Sequence, residues 1–576
     1  MNGQKLIIFL SIVSLLLCQN EEEIRKKMQK LYGENKEITG NFDQSLSITS
    51  NNGIFVGLKK ENVLSFKGIP YAKPPISELR WKDPVPPENS NKVYEAYYFG
   101  KMPIQSEWIL QSSSYYPKSE DCLYLNIWVN TKDTSKNKPI IVFIHGGQYG
   151  WGGTSDPMYD GHNLVEEFPD LIFISIGFRL GLLGFIDFSS VKGGENYKTS
   201  SSLGLLDIIC GLKWIQQNIK NIGGDPEKVT LMGQSSGAAI ISLLPLVNES
   251  KGLFKRIIAE SGSVSLTFTK DEAKKIGEDL LKKSKAKNME DLIKLSEEKI
   301  IELNKDFDNY INYIERDGNT VPFDLYDSYK SGKSKDIDML LGSNQDEGRY
   351  WMKSFDYYNK LISGELIYRI FVPIIYDNNY KELSNEDKEY VDDFMRLLND
   401  KKIWKLTEFY NEVMFRLPMT KQAEYHSKAG GNAYVYLWKY PGESKKLGAC
   451  HNIELAYTTG NLDNTLFIGN KANPELAKKV HEMWVNFART GDPSISEITW
   501  EKYNTDKRKI MVLDEKIEMI EDYKTEQREI LDPILKYNFN LNTNDLSYFV
   551  PTVFKIVAGI LAALLIVFIL LKLIKI

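Results

Sequence analysis

Cysteine is scarce in this chain: four residues in 576, one of them, Cys18, at the end of an N-terminal apolar run. The other three, Cys122, Cys210 and Cys450, are odd in number and far apart, which excludes a disulfide framework and leaves at most one bridge within the chain. Stability must therefore come from a packed core. Histidine is rare too, with five residues, so few side chains can act as a base near neutral pH. Neither sign of charge dominates: 72 Lys and Arg face 77 Asp and Glu, and no basic field recommends nucleic acid. Zinc-ligand spacing, a P-loop, a GxGxxG opening a βαβ unit and internal repeats are all missing. What remains is a globular composition, 42% hydrophobic and 26% charged, in a chain long enough to bury a large core.

Long apolar runs stand at the two ends. Lys5, the run Leu6 to Leu17 and the acidic Glu21-Glu22-Glu23 suit a secretory signal peptide over residues 1–20, followed by a charged, helix-patterned leader over 21–44. Ile556 to Leu571 is an apolar run between Lys555 and Lys572. Joined by residues 550–554, it reads as one transmembrane helix, 550–571, after a polar stalk at 536–549. Lys572 and Lys575 put the tail, 572–576, in the cytoplasm, giving a single-pass type I membrane protein of the secretory pathway, at the cell surface or an internal membrane. A glycolipid-anchor signal is the alternative, and the flanking lysines argue against it. Asn248-Glu249-Ser250 is a glycosylation sequon in a predicted loop.

Between the ends, Asn51-Asn52-Gly53 joins two short alternating runs as a hairpin. Apolar, β-rich runs at residues 139–144, 171–176, 229–232, 256–259 and 338–341 alternate with helical stretches such as 204–219. That alternation predicts an α/β architecture, a mostly parallel central sheet with helices on both faces. Residues 270–308 and 378–411 are charged and helix-patterned, and are expected as helical insertions over the site or beside the sheet.

One strand-to-helix junction stands out. The segment KVTLMGQSSGAAI runs from an apolar strand through Gly233-Gln234-Ser235-Ser236-Gly237 into a helix of small residues. A serine on such a sharp turn exposes its hydroxyl above the sheet, and Ser235 is the nucleophile candidate; the competing reading is a turn that only caps the helix. A serine needs a base and a group to orient it. Of the histidines after Ser235, His426 and His481 lie in helical patterns, whereas His451 follows the loop-like KLGAC and is the better candidate. The segment LLGSNQDEG ends a strand in Asp346-Glu347, and spacing alone does not choose between the two acids. A further strand ends in HGGQYGWGG, a loop whose backbone N–H groups can face a developing oxyanion beside the N–H of Ser236. Phosphate cradling is its rival, but the GK[ST] ending is missing.

These segments, with FKGIPYAKPPISELRW, SEDCLYLNIW, FRLGLLGF, GLLDIICGLKWIQQNIKNIGGDPEKVTL and VNFARTGDP, resemble the type-B carboxylesterase and cholinesterase family of α/β-hydrolases over residues 45–535. The resemblance implies the α/β-hydrolase fold and a triad of Ser235, Glu347 and His451. It also implies oxyanion donors at Gly147, Gln148 and Ser236, and structural ion pairs Arg80–Glu120 and Arg179–Asp207. It calls for no metal or cofactor, and for a small-molecule ester as partner rather than nucleic acid. Three departures bear on the site: Gln148 replaces a loop glycine, Gln234 replaces the glutamate before the serine, and Ser236 replaces alanine. With Gln234 in place of a carboxylate and Ser112 in place of a cation-stacking aromatic, choline esters are not expected. Ile104 stands where Cys122 usually finds its partner, so the family's disulfides are not carried over. The reading is a membrane-anchored serine carboxylesterase acting on uncharged esters; the alternative is a catalytically silent adhesion ectodomain.

Overall fold

The computed structural model describes residues 33–537 and 539, except 107–115, 308–312, 354–363, 464 and 471. The signal peptide, the first half of the leader (21–32), Ser112, most of the stalk, the transmembrane run and the tail lie outside the described residues. Among the described residues no helix is long and apolar enough to cross a membrane.

An 11-stranded sheet organises the chain. Its strands are β1 (Leu58–Lys60), β2 (Val63–Pro70), β3 (Tyr124–Asn130), β4 (Lys138–Ile144), β5 (Ile172–Ile176), β6 (Gly224–Gln234), β7 (Arg256–Glu260), β8 (Asp338–Asn344), β9 (Ala433–Trp438), β10 (Ile510–Leu513) and β11 (Glu518–Ile520). In space the order is β11-β10-β9-β8-β7-β6-β4-β5-β3-β2-β1. The seven strands from β10 to β5 run parallel, and the remaining four are antiparallel edges. The architecture is the one expected, and each of the five strand runs read in the sequence forms a strand. The hairpin forms as well, Ser47–Ser50 pairing antiparallel with Gly53–Val56.

The central strands are apolar on both faces because both faces are covered. Along β4, Ile140, Val142 and Ile144 join a core with α1 (Leu203–Asn218) and α2 (Ser236–Leu243). The alternate residues Ile141 and Phe143 join a second core on the opposite face. The two expected insertions divide between these cores. From the first, α3 (Lys270–Ser284) and α4 (Glu297–Asp306) add Ile276, Leu280 and Ile300 to the α1 side. From the second, α6 (Asn385–Leu397) and α7 (Lys402–Tyr410), preceded by α5 (Gly364–Lys381), add Val391, Phe394 and Phe409 to the other. The helices α8 (Leu417–Lys428) and α9 (Pro474–Thr490) hold His426 and His481, as their helical patterns suggested.

Both ion pairs implied by the resemblance form, and both are buried. Arg80 grips Glu120 through two nitrogens, at 2.6 and 2.5 Å, and also donates to the carbonyls of Ile293 and Leu295, tying the N-terminal segment to the first insertion. Arg179 donates to Asp207 at 2.8 and 2.6 Å and to the carbonyl of Lys82. Bidentate geometry with further carbonyl acceptors satisfies nearly every donor, which such a pair needs once water is gone. The cysteines Cys122, Cys210 and Cys450 are free and buried.

Two other buried groups couple stability to pH. Burial pushes both His145 and His426 down to about 4, so each stays neutral in the fold. Below about pH 6.5 the unfolded chain takes protons that these rings refuse, so their contribution to stability is complete above that pH and is lost as pH falls toward 4. Replacing His426, whose Nδ1 meets the Ser334 hydroxyl at 2.9 Å, with Gln removes one such site. Unfolding free energies of wild type and His426→Gln, from urea titrations, are expected to converge by up to about 3 kcal/mol between pH 7 and 4.5.

Candidate active site

Four of five consecutive parallel strands deliver the candidate residues at their carboxyl ends, where ligands gather in sheets of this kind. The glycine loop follows β4, Ser235 follows β6, Glu347 follows β8 and His451 lies in the loop after β9. Ser235 has φ +56° and ψ −124°, a conformation that an L-residue adopts only under constraint. Its N–H donates to the Glu260 carbonyl at 2.8 Å, and its carbonyl accepts from Ala239 at the start of α2. The turn closes because Gly237 has no side chain: a Cβ there would stand 2.1 Å from the Ile144 carbonyl oxygen.

Glu347 is fully buried, and its carboxylate has two partners. One oxygen accepts the Asn344 N–H at 2.7 Å, and the other meets His451 Nδ1 at 2.6 Å. The ambiguity between the two acids resolves by direction. Asp346 turns away to accept from the Ala449 N–H at 3.0 Å and to pair with Arg349, so it fastens the histidine loop rather than the ring. Asn344 donates to the Cys450 carbonyl at 2.9 Å and also to Glu454. Burial and the nearby Glu347 push Glu454 up to about 7.

The His451 ring sits among aromatic rings. Trp351 stacks at 5.9 Å, Tyr350 meets it edge-on at 5.4 Å, and Phe415 lies at 5.2 Å. With Nδ1 held by a carboxylate, Nε2 of the neutral ring is the acceptor. Ser235 and His451 line one pocket, but no hydrogen bond joins them among the described residues. Nε2 is engaged at 3.1 Å by the side-chain amide of Gln234.

The glycine loop passes beside the serine. Gly147 has φ +112°, and a Cβ on it would overlap the Trp151 carbonyl. Gln148 occupies the left-handed region at φ +53°, and its side chain lines the pocket. Among the described residues no hydrogen bond engages the N–H groups of Gly147, Gln148 or Ser236, so all three remain able to donate. The Tyr149 N–H does have a partner, the Ser236 hydroxyl at 3.3 Å. That hydroxyl ties the loop to the elbow.

The pocket walls were largely invisible in the sequence. Trp151, Leu266, Tyr313, Trp351, Met414 and Phe415 line it, with no Asp, Glu, Lys or Arg among the described lining residues. Trp151 and Trp351 lie within or just after segments already singled out. Met414 and Phe415 lie on a π-helical turn, Asn411–Arg416, between α7 and α8, and no local signal marked them. The remaining histidines serve elsewhere. His481 meets Glu167 at 2.7 Å, His162 meets Glu61, His426 meets the Ser334 hydroxyl and the edge of Tyr329, and His145 stacks on Phe178. Asn248 is exposed in a short turn, whereas the Ser250 hydroxyl of its sequon is buried against the carbonyls of Leu244 and Val247.

Comparison with known proteins agrees with this geometry. Residues 44–531 match the carboxylesterase family. A para-nitrobenzyl esterase of Bacillus subtilis is 31% identical over 511 residues, covering 84% of this chain and 98% of the esterase. Neuroligin-2 of Mus musculus is 26% identical over 560 residues, covering 84% of this chain and 66% of its own. A solved PNB esterase structure superposes with a TM-score of 0.75 at 28% identity, covering 85% of this chain and 99% of that one. Because the elbow depends on the close approach at Gly237, Gly237→Ala is expected to cost on the order of 3 kcal/mol, read as a lower urea midpoint.

Proposed function

The chain belongs to the carboxylesterase family, and we propose that it is a serine esterase hydrolysing uncharged carboxylic esters through an acyl-enzyme on Ser235. The observation that carries this reading is the Glu347–His451 hydrogen bond in a pocket shared with Ser235. In the proposed reaction His451 Nε2 takes the Ser235 proton as Oγ attacks the ester carbonyl, and the carboxylate of Glu347 steadies the imidazolium that forms. The tetrahedral oxyanion is received by the N–H groups of Gly147, Gln148 and Ser236. Collapse expels the alcohol, which leaves with the proton from His451. Water, deprotonated by the same ring, then attacks the acyl carbon and frees Ser235 and the acid.

The aromatic, uncharged lining supports apolar or aryl esters over cationic ones. Full-length protein is expected to react with a fluorophosphonate at Ser235 and to hydrolyse 4-nitrophenyl acetate. Ser235→Ala should do neither, and Glu347→Gln should lose roughly 10²- to 10⁴-fold in kcat. A folded wild-type protein that neither labels nor hydrolyses would favour the silent adhesion ectodomain instead.

The proposal extends to placement. The apolar segments at 1–20 and 550–571 support a catalytic domain carried into the secretory pathway and anchored by its C-terminal run, with Asn248 as a glycan acceptor. Ending the chain at residue 549 should release the esterase into the medium of expressing cells, whereas the full chain should sediment with membranes. Equal secretion of both would refute the anchor.

A further inference from the structure

For Ser235 to be activated its hydroxyl must donate to His451 Nε2, and that nitrogen already has a donor. The Gln234 amide nitrogen lies 3.1 Å from it. The ring's other nitrogen is committed to Glu347 at 2.6 Å, so Nε2 has one lone pair to offer and the amide N–H takes it. Gln234 is not a loosely swinging side chain. It is 2% exposed, and a Cβ built on Gly146 would come within 2.8 Å of its Oε1, so the amide is wedged between the glycine loop and the base. It also lines the pocket that an ester would enter.

We propose that Gln234 is a positioning residue that holds the base in a resting state, and that Ser235 acquires His451 only when an ester entering the pocket displaces the amide. This rests on the esterase reading of Ser235, His451 and Glu347. The consequence follows from the chemistry of the side chain. A neutral amide donates to a neutral imidazole, whereas a carboxylate at the same place would accept from, and favour, the imidazolium.

The groups facing His451 limit what else could respond. Glu347 holds Nδ1, and Glu454 lies behind it, bound by Asn344 and Ser261. Tyr350 presents a ring edge, and Trp351 and Phe415 carry no charge. Asp346 is turned to Arg349 and the loop backbone. Cys450 and Tyr436 stay protonated, held so by burial among these carboxylates.

The test compares full-length wild type, Gln234→Met and Gln234→Glu, with fluorophosphonate labelling rates at pH 7 and kcat/KM for 4-nitrophenyl acetate from pH 5 to 9. Methionine keeps the volume and removes the donor. It should label roughly three- to ten-fold faster, the worth of one neutral hydrogen bond released from the base. Glutamate should move the acid limb of kcat/KM upward by about one pH unit. Wild type that labels while a folded Gln234→Met labels no faster overturns the inference and leaves the esterase reading standing. An inert wild type beside a reactive Gln234→Met supports it in its strongest form. Failure of both to label removes the esterase reading and this inference together.

Discussion

The carboxylate of Glu347 has no contact with solvent, and it holds two things at once: the backbone at the end of β8, through the Asn344 N–H, and the ring of His451, through Nδ1. A buried anion tolerates little freedom, because any loss of a hydrogen bond leaves charge in a low-dielectric interior. The position of the ring is therefore fixed by a strand 104 residues away in sequence rather than by its own loop. The loop is fastened in turn by Asp346 and Asn344, neighbours of that same carboxylate. The turn after β8 is thus a single polar clamp with three side chains, each facing a different partner.

Buried charge recurs through the fold, and its handling differs with its purpose. Arg80 with Glu120 and Arg179 with Asp207 are closed pairs that join distant segments. Behind the candidate site the chemistry is less balanced. Glu454 is buried beside Glu347 and Glu260 beside Glu454, and burial drives both Glu454 and Glu260 toward the protonated form. A cluster of acids with fewer counter-cations than carboxyls can persist only by keeping protons. Its hydrogen bonds from Asn344, Ser261 and Trp484 come from neutral donors, in keeping with that state.

Much of the architecture is legible in the amino-acid sequence. Strands covered on both faces show as unbroken apolar runs, which marked the segments from Pro139 to Leu341 that became strands. The Gly-x-Ser-x-Gly junction and the loop setting of His451 were also local signals. Strand β9, AYVYLW, lies outside those runs, although its β-branched and aromatic residues fit a central strand. The choice between Asp346 and Glu347 could not come from spacing. Adjacent residues in a turn point in different directions, and only packing says which one meets the ring.

The sequence by itself determined the order and period of the elements, the glycine-flanked serine and the glycine loop, because these follow from backbone sterics and short-range patterning. Tertiary structure alone decided which side chains meet. The aromatic enclosure of His451, the π-helical turn that supplies Met414 and Phe415, the Ser236 tether on the glycine loop and the Gln234 amide on Nε2 all join residues remote in sequence or turned by a local bend. Such contacts depend on strand register and rotamer choice in a close-packed interior, and no periodicity along the chain encodes them.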